Sequence, residues 1–375
     1  MPPIPPSPSR GEAEAAGHVK GSSPRRTRII RILVIGLILI GTFVAWQVLN
    51  AYNNSTDPTV AGRPLSNPHT HLHTVDLGGK PGVLYLGTHY GLFTSTDNGR
   101  TWPQSHGVLN TYMVTAIATS PADARVLALI VIPTSGIVLQ SGIAFSRDGG
   151  HTWHISVPPG LSPSAYPYML TAGSGGSGHF YAYYFNAGWF ETRDLGAHWF
   201  ALTSGALSNM GTPTLLADPS DPNHLYLGGD QGLYESRDDG NHWVHIAAIQ
   251  GAVQSLVATR TTPRTLFCAT DQGLYTWQQG GTGITRLSQL PMPTPPTRLA
   301  IDPSGKVLYA LSGQDLWSSS DGGRTWVHRW HFERGDLISL VVDPLHPDTL
   351  YAGFFLPPEV IDSTDGGSSW HTLTN

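Results

Sequence analysis

The chain has 375 residues, enough for a large core that stands without covalent help, and its single cysteine, Cys268, excludes both an internal disulfide and a site built on several thiolates. Only 13 % of the residues are charged; 43 Gly and 30 Pro occur without a Gly-X-Y period, which excludes collagen, and 11 Trp, 14 Tyr and 11 Phe exclude a disordered chain. The formal net charge is -5, but residues 1–31 hold six basic against two acidic residues, which leaves -9 on the remainder and argues against a nucleic-acid partner.

In chain order, residues 1–28 are rich in Pro, Ser and Gly and read as a disordered cytoplasmic tail. Residues 29–49 read as a transmembrane signal anchor: Ile32 to Leu49 carries no charge, and 18 residues at a helical rise span roughly 27 Å. Arg25, Arg26, Arg28 and Arg31 precede it and no Lys or Arg follows until Arg63, which keeps the N-terminus cytoplasmic and puts the rest outside the cytoplasmic membrane. A cleaved signal peptide, with Leu49-Asn50-Ala51 at the cut, stays open as the other reading. Residues 50–66 read as a polar linker and 67–375 as one domain.

That domain repeats Ser/Thr-x-Asp-x-Gly-x-x-Trp six times, ending at Trp102, Trp153, Trp199, Trp243, Trp326 and Trp370, with aspartates Asp97, Asp148, Asp194, Asp238, Asp321 and Asp365. The aspartates lie 51, 46, 44, 83 and 44 residues apart, so a degenerate copy fills the long gap, around 266–287, where Gln278-Gln279-Gly280-Gly281 replaces the motif. Each period holds four short apolar runs separated by turn residues. The pattern predicts an all-β fold, a seven-bladed propeller of four-stranded antiparallel blades. Helical solenoids are excluded because Gly and Pro interrupt every apolar run. No strand swap is visible, so the first and last blades are expected to close the ring face to face. Within the motif, Asp accepts backbone N–H groups of its own turn, Gly supplies a positive φ and Trp wedges against the sheet; these are structural roles.

This pattern resembles the Asp-box, or BNR repeat, of sialidases and related propellers, which include xyloglucan-degrading glucanases, sortilin-type receptors and the photosystem II assembly factor. The resemblance implies a propeller and leaves several functions open: a protein or glycan binder without catalysis, a glycoside hydrolase, or a scaffold for assembling a membrane complex. A sialidase-like site implies an Arg-Ile-Pro motif and three clamping arginines; the motif is absent, and Arg286, Arg298, Arg329 and Arg334 are the arginines left over from the turns on the boxed rim. A glucanase-like site implies paired carboxylates in a cleft between two propellers, and this sequence encodes one.

On the face opposite the boxes, Asp230, Asp271, Asp315 and Glu359 are expected in the turn between second and third strands, as turn formers or as an arc of ligands. Asp271 and Asp315 are the candidate acid pair if the protein hydrolyses glycosides. Tyr90, Tyr112, Tyr166, Tyr168 and Trp189 are candidates for a stacking rim. His69, His71 and His73 alternate and so share a strand face, the one arrangement in the chain that suggests a metal. No cofactor is expected. An exported domain with a lone cysteine reads as bacterial.

Overall fold

The computed structural model describes Leu65 and residues 70–374, apart from 106, 135–139, 163–164, 203–206, 208–209, 212, 262–263, 280–282, 288–289 and 303. The anticipated tail, transmembrane helix and all of the linker except Leu65 lie outside these residues. Among the described residues no helix is long and apolar enough to cross a membrane.

Seven antiparallel sheets follow one another along the chain, forming an all-β, seven-bladed propeller. The inner strands are Leu72–Leu77, Tyr112–Thr119, Pro167–Ala172, Thr214–Ala217, Val253–Ala258, Arg298–Ile301 and Leu337–Val342. Six sheets have four strands in sequence order. The first has three, and a single bridge from Phe93 to Gln104 stands where its outer strand would be.

The second strands, among them Phe180–Tyr184, Leu225–Gly229 and Leu350–Phe354, are buried along their whole length. They read as unbroken apolar runs because a neighbouring blade covers each face. At the rim, outer-strand residues Phe200 and Val244 are exposed. The core is therefore a set of layers between blades. Tyr309 and Leu316 of the sixth blade pack with Leu340 and Ala352 of the seventh.

The same layer joins the ends of the chain: Leu84, Leu86 and Phe93 of the first blade pack on Tyr351 and Val360 of the seventh. Leu72 N donates to Phe355 O at 3.0 Å, and Val75 N donates to Ser339 Oγ at 3.0 Å across 264 residues. Among the described residues each blade keeps its own strands, and closure rests on face-to-face packing with these two bonds.

The six boxed turns share one hydrogen-bond pattern. In the first, Ser95 Oγ donates to Asp97 Oδ1 at 2.7 Å, Gly99 N donates to Ser95 Oγ at 2.8 Å, and Thr101 N and Oγ1 donate to the two carboxylate oxygens at 2.9 and 2.7 Å. The side chain and backbone of Thr101, then Ser95, hold the Asp97 carboxyl down at about 2. Asp321 is held at about 2 by its own turn, the Thr325 backbone first. His198 and His242 replace the threonine in the third and fourth boxes and contact Asp194 and Asp238 through Nδ1.

In five boxes, at Gly99, Gly196, Gly240, Gly323 and Gly367, a Cβ on the glycine would stand 2.6 to 2.8 Å from a side chain of the preceding blade. A Cβ on Gly196, at φ 82°, would stand 2.6 Å from Ser156 Cβ and 2.7 Å from Phe145. Gly149, the variable residue just before the second box's own glycine, has φ 75° and open space. Gly149→Ala is therefore expected to cost about 1 kcal/mol from backbone strain alone, and Gly196→Ala about 3 kcal/mol or more. Urea denaturation of the two variants checks the difference; equal costs would remove the packing argument.

Candidate functional site

The start of each inner strand pairs with the end of the second strand, as Leu72 does with Thr88. The second-to-third turns and the links into each inner strand therefore share one face, at the mouth of the axial channel. The boxed turns lie on the other. Every candidate acid falls at the mouth, but not at one repeated position.

Asp230 and Asp271 are turn residues, between Gly229 and Gly232 and between Thr270 and Gly273. Their Oδ1 atoms accept backbone N–H groups of the link into the same blade's inner strand, from Gly211 at 3.3 Å and Ala252 at 2.9 Å. Asp315 and Glu359 instead open the third strand, paired with Ser312 and Phe354. This corrects the expected alignment. The sixth blade turns through Gly313 and Gln314, so its acid arrives after the turn, and the seventh blade turns through four residues.

That shift gives the later acids different partners. Asp315 Oδ1 contacts His328 Nε2 at 2.9 Å and His331 Nδ1 at 2.8 Å, and these imidazoles, His328 first, hold its carboxyl below the usual range. Glu359 meets Arg334 Nη1 at 3.1 Å and Thr372 Oγ1 at 3.0 Å. An acid kept ionised by two imidazoles is a poor proton donor at neutral pH. The geometry gives Asp271 and Asp315 separate partners and no shared proton.

The stacking candidates divide in the same way. Tyr90, Tyr112 and Trp189 are buried, Tyr112 and Trp189 inside interblade layers. Tyr112 and Trp189 face inward because a neighbouring blade covers them, and Tyr90 is buried in the turn between the second and third strands of the first blade. Tyr166 and Tyr168 are 43 % and 42 % exposed, and their rings flank Phe185 at 4.9 and 4.6 Å. Phe185 N donates to Tyr166 O at 3.1 Å, tying the second-to-third turn to the link into the inner strand. Three rings thus form an aromatic ledge at the mouth, beside the third blade. Phe185 was not singled out in the sequence, although the run Phe180 to Phe185 carries aromatic residues past the strand's end, at Tyr184, into the turn.

A second aromatic cluster lies where the first and last blades meet. His71 stacks on Phe355 at 4.9 Å, His73 meets the same ring edge-on at 5.9 Å, and His89 lies 5.8 Å from His71. Burial first, then the nearby imidazoles, push His73 down to about 4, so it is neutral at pH 7. His69 lies outside the described residues. His71 and His73 lie against Phe355 rather than converging on a metal position. Among the described residues, the one set of three metal-type donors within 4.8 Å of one another is His179, Glu191 and Asp239. There Arg193 bonds both carboxylates, so a guanidinium already occupies the cation's place.

The inner strands carry a further titratable group that no motif marks. Asp76 Oδ1 accepts Leu77 N at 2.9 Å, Thr119 Oγ1 of the next blade approaches Oδ2 at 3.3 Å, and burial pushes the carboxyl up to about 7.

No protein-family model matches the chain. A probable oligoxyloglucan-reducing end-specific xyloglucanase of Neosartorya fischeri is 27 % identical over 171 residues, covering 44 % of this chain and 18 % of that protein. An uncharacterized membrane glycoprotein of Saccharomyces cerevisiae is 38 % identical over 68 residues, 18 % of this chain and 15 % of that one. The chain thus spans less than a fifth of the curated relatives it matches. Among solved structures, the GH74 xyloglucanase from Xanthomonas campestris superposes with a TM-score of 0.66 at 16 % identity, over 84 % of this chain and 56 % of that one. This likeness establishes the fold.

Asp76 supplies a pH test. Its folded pKa lies above the unfolded value of about 4, so between about pH 4 and 7 the folded state keeps a proton that the unfolded state has lost, and stability falls as pH rises. Asp76→Asn, which keeps an acceptor for Leu77 N and a donor for Thr119, is expected to melt higher than the parent at pH 7.5 and no higher at pH 4. A uniform shift at both pH values would contradict the raised pKa.

Proposed function

We propose that the propeller is a non-catalytic binding module that takes a glycan at the channel mouth, with Tyr166, Phe185 and Tyr168 as its stacking surface. The carrying observation is the exposure of Tyr166 and Tyr168 on either side of Phe185. Aromatic residues held open to water in a fixed array suit the apolar faces of sugar rings. In this reading the chain is an Asp-box propeller whose boxes hold the blades while the opposite face carries the function. The partial match to a xyloglucanase supports a β-glucan as the ligand class. The apolar stretch from Ile32 to Leu49 supports presentation of the domain outside a cytoplasmic membrane.

Hydrolysis of a glycoside is the second reading, favoured by the same relative. It requires a protonated acid and a second carboxyl about 5 to 10 Å away. Asp315, held ionised, does not suit the acid's role, and Asp271 Oδ1 is occupied by a backbone donor.

The test is calorimetry with xyloglucan oligosaccharides, with reducing-end release measured in parallel. Tyr166→Ala and Tyr168→Ala are each expected to weaken binding at least tenfold with little change in melting temperature. Trp189→Ala, in the core, is expected to lower the melting temperature by several degrees, in line with about 3 to 5 kcal/mol for an emptied aromatic site. Unchanged binding in both tyrosine variants contradicts the ledge, and release of reducing ends by the parent contradicts the non-catalytic reading.

A further inference from the structure

The inner strands also carry a cation that no carboxylate among the described residues meets. Arg298 opens the inner strand of the sixth blade, largely covered by the protein. Among the described residues no carboxylate pairs with it, and burial alone pushes its guanidinium below the usual arginine range. Taking a charge out of water is costly unless an opposite charge or a full set of hydrogen bonds replaces the solvent. Other covered arginines have such partners: Arg264, the most buried, meets Asp218 Oδ1 at 3.1 Å, and Arg334 bonds Asp336 and Glu359, while Arg329 bonds the hydroxyls of Ser318 and Ser368.

Register shows what flanks Arg298. It pairs with Leu311, while Ser255 in the fifth blade pairs with Ala269 and Ser339 in the seventh with Gly353. Each partner is the penultimate residue of its second strand, so the three side chains stand at one level on three successive inner strands. Both serine oxygens accept a backbone N–H from the next blade, Leu299 N at 3.1 Å and Val75 N at 3.0 Å. Each hydroxyl hydrogen is left to donate. One guanidinium between two hydroxyl donors is a complement for a singly charged oxyanion.

We propose that Arg298, Ser255 and Ser339 form a carboxylate-binding site in the axial channel, just below the mouth, and that it takes the acid group of a uronate-bearing glycan. The choice of glycan rests on the function proposed above; the carboxylate site does not. A multiply charged phosphate polymer is disfavoured because the chain beyond residue 31 carries a net -9. With the ledge on the same face, an acidic sugar would stack its ring on the aromatics and anchor its carboxylate at the guanidinium.

Two probes separate the site from its ligand class. Glucuronate alone is titrated while the Arg298 Nε–H resonance is followed by NMR, and a uronic acid trimer is compared with a neutral glucose trimer by calorimetry. A saturable shift of the Arg298 resonance is expected, with the acidic trimer bound at least tenfold more tightly than the neutral one. Arg298→Gln should abolish that preference, leave neutral-trimer binding unchanged and not lower the melting temperature, since among the described residues no ion pair uses the charge. A shift with glucuronate but no binding of either trimer keeps the carboxylate site and removes the glycan reading. Absence of a saturable shift, an acidic preference that survives in Arg298→Gln, or a melting temperature lowered by several degrees in that variant overturns the proposal.

Discussion

A propeller depends on one constraint: every sheet must be covered on both faces by its neighbours, and the last must find the first. Second strands that are apolar without alternation follow from it, because neither face meets water. The box glycines follow as well, since each box lies against the blade before it, and Gly99 of the first box packs on Leu373 of the last blade. Among the described residues no strand is exchanged at the seam, and the ring is joined there by an apolar layer and by the bonds to Ser339 Oγ and Phe355 O.

The constraint divides the labour between the two faces. On the boxed face the polar groups are consumed locally: carboxylates are saturated by their own turns and held ionised, and His179, Glu191, Arg193 and Asp239 close among themselves. At the mouth, side chains are left over. Tyr166 and Tyr168 stay open to water, and Arg298 keeps a charge that no carboxylate among the described residues neutralises. Function is inferred where physical groups remain unused.

How much of this could be read in the sequence depended on whether a feature was periodic. The boxes repeat with fixed residue types at fixed spacing, so the blade count, the all-β class and the structural role of the aspartates were legible, including the degenerate fifth copy. The site was not, because it breaks the repeat. Asp315 looked equivalent to Asp230 until the register was known; both blades turn through two residues, but Asp315 stands where the fourth blade has Gly232, at the start of the third strand and in reach of two histidines. Trp189 looked like a surface stacker because one strand's sequence does not tell which side a neighbouring blade covers. Phe185 and Arg298 carry no motif; only the structure shows one ring clasped by two tyrosines, and an arginine on the inner strand between two that carry a serine at the same level.

The central claim, that the two faces are divided between holding the ring and binding a ligand, is tested most directly by hydrogen exchange of the whole protein with and without a saturating xyloglucan oligosaccharide. The account predicts slowed exchange at the mouth, in the segments containing Tyr166 to Tyr168 and Phe185 to Gly188, and unchanged exchange in the boxed turns from Ser95 to Trp102 and from Ser236 to Trp243. Protection centred on the boxed turns, or none at the mouth while the sugar is bound, would contradict it.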